Sequence, residues 1–233
     1  MTVEMTPSQV ETLATLPPAE LGARVVAALG AAGLTLAAGE SLTAGLLCAT
    51  VADTPGASAV LRGGLVVYAT DLKAGLAGVD GDLLRSRGPV DPDVAAALAD
   101  GAAARCGADV GVGLTGVAGP DEQDGHPVGE VYIGLHVAGR ETVAYRLSPT
   151  WRDRMPCAGA DLRRGVREAT VREALAHVLV ALGPAGSGSG TGAGAAGRGG
   201  DDSTLERTNA EVTGTGDGVG NKTTDRAVGD NDG

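Results

Sequence analysis

Apolar runs of strand length alternate with segments of helical spacing along most of this chain, and that alternation restricts its fold more than any other feature. The spacing predicts helices over residues 17–33, 43–52, 71–78, 91–107 and 161–182. Between them, residues 34–38, 59–69 and 109–116 read as strands, and residues 128–138 and 141–147 as a hairpin around Gly139 and Arg140. Gly63 and Gly64 inside the second strand mark a bulge, and Asp91 followed by Pro92 opens a capped helix. Strands alternating with helices, closed by a hairpin, predict a single three-layer α/β/α domain with a mixed, mostly parallel sheet. Ligands bind such folds where strands end and loops lead into helices. Residues 39–41 and 115–120 lie at two such ends, which allows both loops to face one cleft.

The chain has no phenylalanine and only 2% aromatic residues. Its core must therefore be Val, Leu, Ala and Ile, which calls for close approach of the elements. Residues 184–233 are Gly, Ser, Thr and Asp with almost nothing apolar, and they read as a disordered tail. Residues 1–20 read as an N-terminal extension, leaving 21–183 as the folded domain. Of the net charge of −11, the tail carries −4 and the rest −7. An acidic body argues against a general nucleic-acid or anionic-membrane surface, but leaves room for a local pocket for one phosphate. The first twenty residues place acids where a secretory leader is basic, and no run of eighteen apolar residues occurs, so neither a leader nor a membrane span is expected. Cys48, Cys106 and Cys157 are odd in number and show no paired spacing, which suits free thiols in the cytoplasm.

Ser41 follows a buried strand and precedes a small-residue helical pattern. A strand–turn–helix junction exposes a nucleophile and offers backbone N–H groups to a developing oxyanion, although serine also serves there as an ordinary helix cap. Lys73 narrows the choice. Before residue 184 the chain has thirteen arginines and this single lysine. Arginine stays protonated, whereas a desolvated lysine loses its proton near neutral pH and acts as a base; the plain alternative is one surviving surface charge. His126, His136 and His177 show no metal-ligand spacing, and a Ser–His–acid triad through His126 is the less simple arrangement. The glycine-bearing loop "LTGVAGP" suits a phosphate or a planar ligand. Arg163 and Arg167 stand four apart on one helix face, placed either for a ligand phosphate or, with Arg164, for a solvated pairing with Glu168.

Taken together, "GESLTAGLL", "VVYATDLK", "LTGVAGP", "HPVGEVYIGL" and "LRRGVREATVREAL" occur in the order of the CinA C-terminal domain family, the nicotinamide-nucleotide amidohydrolases of PncC type, and residues 21–182 resemble that family in its stand-alone form. Departures are Ala44 for a glycine, Leu42 for a frequent cysteine, Thr70 for an asparagine, Asp161-Leu162 for Gly-Asp, and the inserted run "TWRDRMPCAGA". The resemblance implies hydrolysis of the amide of nicotinamide mononucleotide to nicotinate mononucleotide and ammonia, without metal or cofactor. It implies Ser41 as nucleophile and Lys73 as its base. Glu40, Thr43, Tyr68, Thr115, Gly116, Gly119 and Arg163 are the implied substrate-binding residues, with Arg163 on the phosphate, and Glu40 either orients Lys73 electrostatically or simply favours the dipole of the following helix. The expected partners are a small pyridine nucleotide and a second copy of the chain as a dimer, with no nucleic acid and no membrane. A non-catalytic nucleotide-binding or regulatory module is the alternative, and the joint presence of Ser41 and Lys73 distinguishes the two.

Overall fold

The computed structural model describes residues 7–154 and 161–183; the 184–233 tail, the first six residues and Cys157 lie outside the described residues. In chain order the elements are α1 (Pro7–Leu13), α2 (Pro18–Ala32), β1 (Leu36–Glu40), α3 (Leu46–Ala52), β2 (Leu61–Val66), α4 (Thr70–Gly75), α5 (Gly81–Arg87) and α6 (Pro92–Cys106). β3 (Val110–Gly116), β4 (Val131–Val137), β5 (Val143–Arg146), α7 (Trp151–Arg154) and α8 (Leu162–Leu182) follow. The strands form one sheet in the order β2-β1-β3-β4-β5. β1 pairs in parallel with β2 and β3, while β4 runs antiparallel to both β3 and β5, so four of the five strands point the same way. This is the mixed, mostly parallel sheet that the alternation predicts.

Helices cover both faces. On one, Leu21, Val25 and Leu29 of α2, Leu47 and Val51 of α3, and Val166 and Leu175 of α8 bury the sheet residues Leu36, Ala38, Val112, Leu114 and Ile133. On the other, α6 lies almost directly on the strands. A Cβ on Gly111 would stand 2.1 Å from the Ala99 carbonyl, and one on Gly113 or Gly134 2.1 or 2.0 Å from that of Ala95. The glycines of β3 and β4 and the alanines of α6 thus replace the bulk of the missing aromatics with backbone-to-backbone approach. A smaller cluster of Val67, Ala77, Val79, Leu84, Val94 and Leu98 closes the space between α4, α5 and α6.

Local differences from the sequence reading have identifiable causes. The first strand runs two residues further than expected, through Glu40. The helix expected from residue 43 begins at Leu46, because Ala44 (φ +50°) and Gly45 (φ +93°) take left-handed backbone and hold residues 41–45 as a turn. Helix α5 was not anticipated, although its cap is legible: the Asp80 carboxylate accepts from the Asp82 N–H at 2.6 Å. Helix α7 lies in the inserted run. Part of the supposed N-terminal extension is folded, since Val10 of α1 and Ala14 just after it pack against Ala176 of α8. The bulge sits at Arg62, where Leu36 pairs with Leu61 but Ala37 with Gly63.

Candidate active site

Parallel pairing of β1 and β2 brings two distant segments out of the sheet side by side. Glu40 is in register with Val66, and the Val67 N–H donates to the Glu40 carbonyl at 2.9 Å. Ser41 leaves the end of β1, and the chain after β2 turns into α4, which carries Lys73. Lys73 Nζ reaches Ser41 Oγ at 3.0 Å, the Val67 carbonyl at 3.0 Å and the Tyr68 carbonyl at 3.3 Å. Lys73 is 1% exposed, and burial pushes its pKa down from 10.5 to about 8, against the opposing charge of Asp71. As an ammonium it donates to all three oxygens. As a free amine its two N–H bonds match the two carbonyls, and its lone pair faces the Ser41 hydroxyl.

The turn that follows Ser41 departs from expectation. Glu40 is 1% exposed, and its carboxylate accepts from the N–H groups of Gly45 (3.0 Å), Leu47 (3.1 Å) and Cys48 (2.9 Å). It therefore caps α3 rather than facing Lys73 or a ligand, and the start of that helix is not open to an anion. Burial together with the Glu40 charge raises the Cys48 thiol far above its ordinary range, so it stays protonated. Thr43 is fully buried behind the turn, and its hydroxyl has no partner among the described residues. Glu40 and Thr43 thus leave the set of side chains that reach a ligand.

The other candidates do converge. Ser41, Tyr68, Lys73, Thr115, residues 116–119 and Arg163 line one cleft, together with Leu42, Thr70, Pro89, Val90, Asp121 and Gln123. Its volume is about 140 Å³. The Thr115 hydroxyl donates to the Pro89 carbonyl at 2.5 Å and so holds the 88–90 segment as one wall. Across the mouth, the Arg163 guanidinium donates to the Gly119 carbonyl at 2.6 Å and to the Tyr68 hydroxyl. Arg164, not Arg163, makes the surface pair with Glu168, at 2.7 Å. Arg167 is half-buried, donating from Nε to the Leu42 carbonyl (3.0 Å) and from Nη2 to the Thr43 carbonyl (2.7 Å). His126 pairs with Glu130 at 3.3 Å and does not line the cleft. The wall residues Pro89, Asp121 and Gln123 escaped sequence reasoning, since nothing in their local pattern marks a site. Among the described residues no cluster of His, Cys, Asp or Glu could hold a metal ion, and no helix is long and apolar enough to cross a membrane.

Comparison with known proteins gives a consistent match. The family model described as the CinA C-terminal domain covers residues 19–182. A CinA-like protein of Frankia casuarinae is 52% identical over 101 residues, 43% of this chain and 23% of that protein. The chain spans 28% and 29% of the length of two other curated relatives, from Geobacillus kaustophilus and Listeria innocua. Among solved structures, the competence/damage inducible protein CihA from Agrobacterium tumefaciens is 31% identical, with a TM-score of 0.63 over 72% of this chain and 96% of that one. A CinA superfamily protein from Enterobacter cloacae is 27% identical, with a TM-score of 0.62 over 72% and 93%.

Proposed function

Because this chain belongs to the CinA C-terminal domain family, we propose that it hydrolyses the carboxamide of nicotinamide mononucleotide, giving nicotinate mononucleotide and ammonia. The observation that carries the reaction class is the 3.0 Å contact between Ser41 Oγ and a buried Lys73 Nζ whose pKa is lowered to about 8. The pyridine nucleotide as substrate rests on the family resemblance.

In this reading, Ser41 Oγ attacks the amide carbon while its proton passes to neutral Lys73. The carbonyl oxygen takes up negative charge. Lys73 returns the proton to the departing nitrogen, ammonia leaves, and an acyl ester remains on Ser41. Water, deprotonated by Lys73, then attacks the ester; the carboxylic acid departs and Ser41 regains its proton. The cleft volume of about 140 Å³ is close to the roughly 150 Å³ that takes up a benzene-sized ring. That volume supports entry of the pyridine ring alone, with the ribose and phosphate at the mouth beside Arg163.

The test is ammonia release from nicotinamide mononucleotide by the purified protein and by Ser41→Ala. Turnover in the parent and a loss of about a thousandfold or more in Ser41→Ala are expected. Binding of the nucleotide without ammonia release by the parent would instead support a non-catalytic module.

A further inference from the structure

Of the five N–H groups in the turn at residues 41–45, three are used: Ser41 donates to the Leu114 carbonyl, Ala44 to the Ser41 carbonyl and Gly45 to Glu40. Those of Leu42 and Thr43 have no acceptor among the described residues, although the two residues are only 4% and 0% exposed. Buried N–H groups without a partner are rare, because each forfeits its hydration without a replacement, and they recur where a ligand atom completes them. Leu42 lines the cleft and Thr43 does not, and Leu42 directly follows the nucleophile, where serine hydrolases place a donor for the oxyanion.

The carbonyls of the same two residues are both held by Arg167. One guanidinium on two successive carbonyls fixes both peptide planes and, through the Ala44 N–H bond to the Ser41 carbonyl, the direction of the Leu42 N–H. Arg167 does not line the cleft. We propose that Arg167 is a positioning residue for the reaction: by holding the carbonyls of Leu42 and Thr43 it fixes the turn after Ser41, so that the Leu42 N–H at the cleft wall receives the oxyanion. Glu40 holds the far end of the same turn. The proposal rests on the amide-hydrolase reading for its reaction, but its geometry applies to any acyl or phosphonyl acceptor at Ser41.

The experiment measures two rates on the full chain: ammonia release from nicotinamide mononucleotide, and labelling of Ser41 by a fluorophosphonate. In the second, the Ser41 oxygen bonds to phosphorus, fluoride leaves, the hydroxyl proton passes to Lys73, and the phosphoryl oxygen takes the oxyanion position. Arg167→Met is expected to slow labelling by about ten- to hundredfold and to lower kcat by a similar factor with KM within about twofold. Arg167→Lys, which supplies a point charge but no fork, should recover part of the loss. Arg164→Ala, its solvent-facing neighbour, should leave both rates unchanged. Labelling of Arg167→Met at the parent's rate overturns the proposal, as does a loss that falls on KM instead of kcat. If Arg167→Met fails to fold, Arg167→Lys decides: a parental rate there overturns the proposal. A parent that labels but releases no ammonia disposes of the substrate assignment and leaves the proposal to be judged on labelling. A parent that does not label overturns the proposal.

Discussion

Ser41 Oγ and Lys73 Nζ stand 3.0 Å apart although 32 residues separate them, because the parallel strands that precede them end side by side. The contact is set by the sheet: Val67, the residue after β2, both bonds to Glu40 through its N–H and receives Lys73 through its carbonyl. The contact between Ser41 and Lys73 is therefore as rigid as the strand pairing beneath it.

The first consequence is a pH profile. Only the neutral amine takes the Ser41 proton, and burial sets the Lys73 pKa to about 8. The value of kcat/KM for deamidation should rise about tenfold per pH unit below pH 8 and level off above it. Lys73→Arg should be nearly as inactive as Lys73→Ala, since arginine keeps the charge and cannot give up the proton. A flat profile from pH 6.5 to 9, or an active Lys73→Arg, would remove Lys73 as the base.

Arg163 spans the cleft mouth between Tyr68 and Gly119, the place where a phosphate attached to a buried ring would emerge. Arg163→Ala should lower kcat/KM for nicotinamide mononucleotide by about ten- to hundredfold, the scale of one charge-assisted contact. Nicotinamide riboside, which lacks the phosphate, should lose almost nothing. Equal losses on both substrates would make Arg163 a wall of the site and not a phosphate ligand.

The glycine face under α6 predicts where the fold is least tolerant. An added Cβ at Gly113 or Gly134 meets the Ala95 carbonyl at 2.1 or 2.0 Å, against backbone that has no room to retreat. Gly134→Ala should destabilise by at least about 2 kcal/mol in urea unfolding. Ala44, held at φ +50°, is the opposite case: Ala44→Gly should be neutral or stabilise by up to about 1 kcal/mol.

His177 of α8 is buried, stacks on Tyr145 at 3.8 Å, and burial pushes its pKa down from 6.5 to about 4. Between those values the unfolded chain binds a proton that the folded one excludes, so stability falls as the pH drops from 6.5 toward 4, by about 2 kcal/mol at pH 5. His177→Phe keeps an aromatic ring against Tyr145 and removes the titration. Its melting temperature should fall less than the parent's between pH 7 and pH 5; an identical fall would mean that other groups carry the acid sensitivity.

The succession of strands and helices is legible in the residues alone, because periodicity, caps and stops act over a few residues. Asp91 with Pro92, the left-handed Gly33 and the alternation in residues 131–146 are all local signals, and each stands where it was expected. The unusual lysine at position 73 was equally visible, since its rarity is a matter of composition. Tertiary structure alone decided what these parts do. Whether Glu40 faces Lys73 or caps α3 depends on a chain reversal at Ala44 and Gly45, a backbone choice that alternating hydrophobicity does not encode. Arg167 meets the Leu42 and Thr43 carbonyls only because α8 returns across 124 residues to lie beside the turn. The glycines of β3 and β4 read as weak strand positions until α6 is laid on them, and then they are what lets a core without phenylalanine close. Burial follows the same logic: lysine has an ordinary pKa in the unfolded chain, and only enclosure at the end of two parallel strands lowers it to about 8.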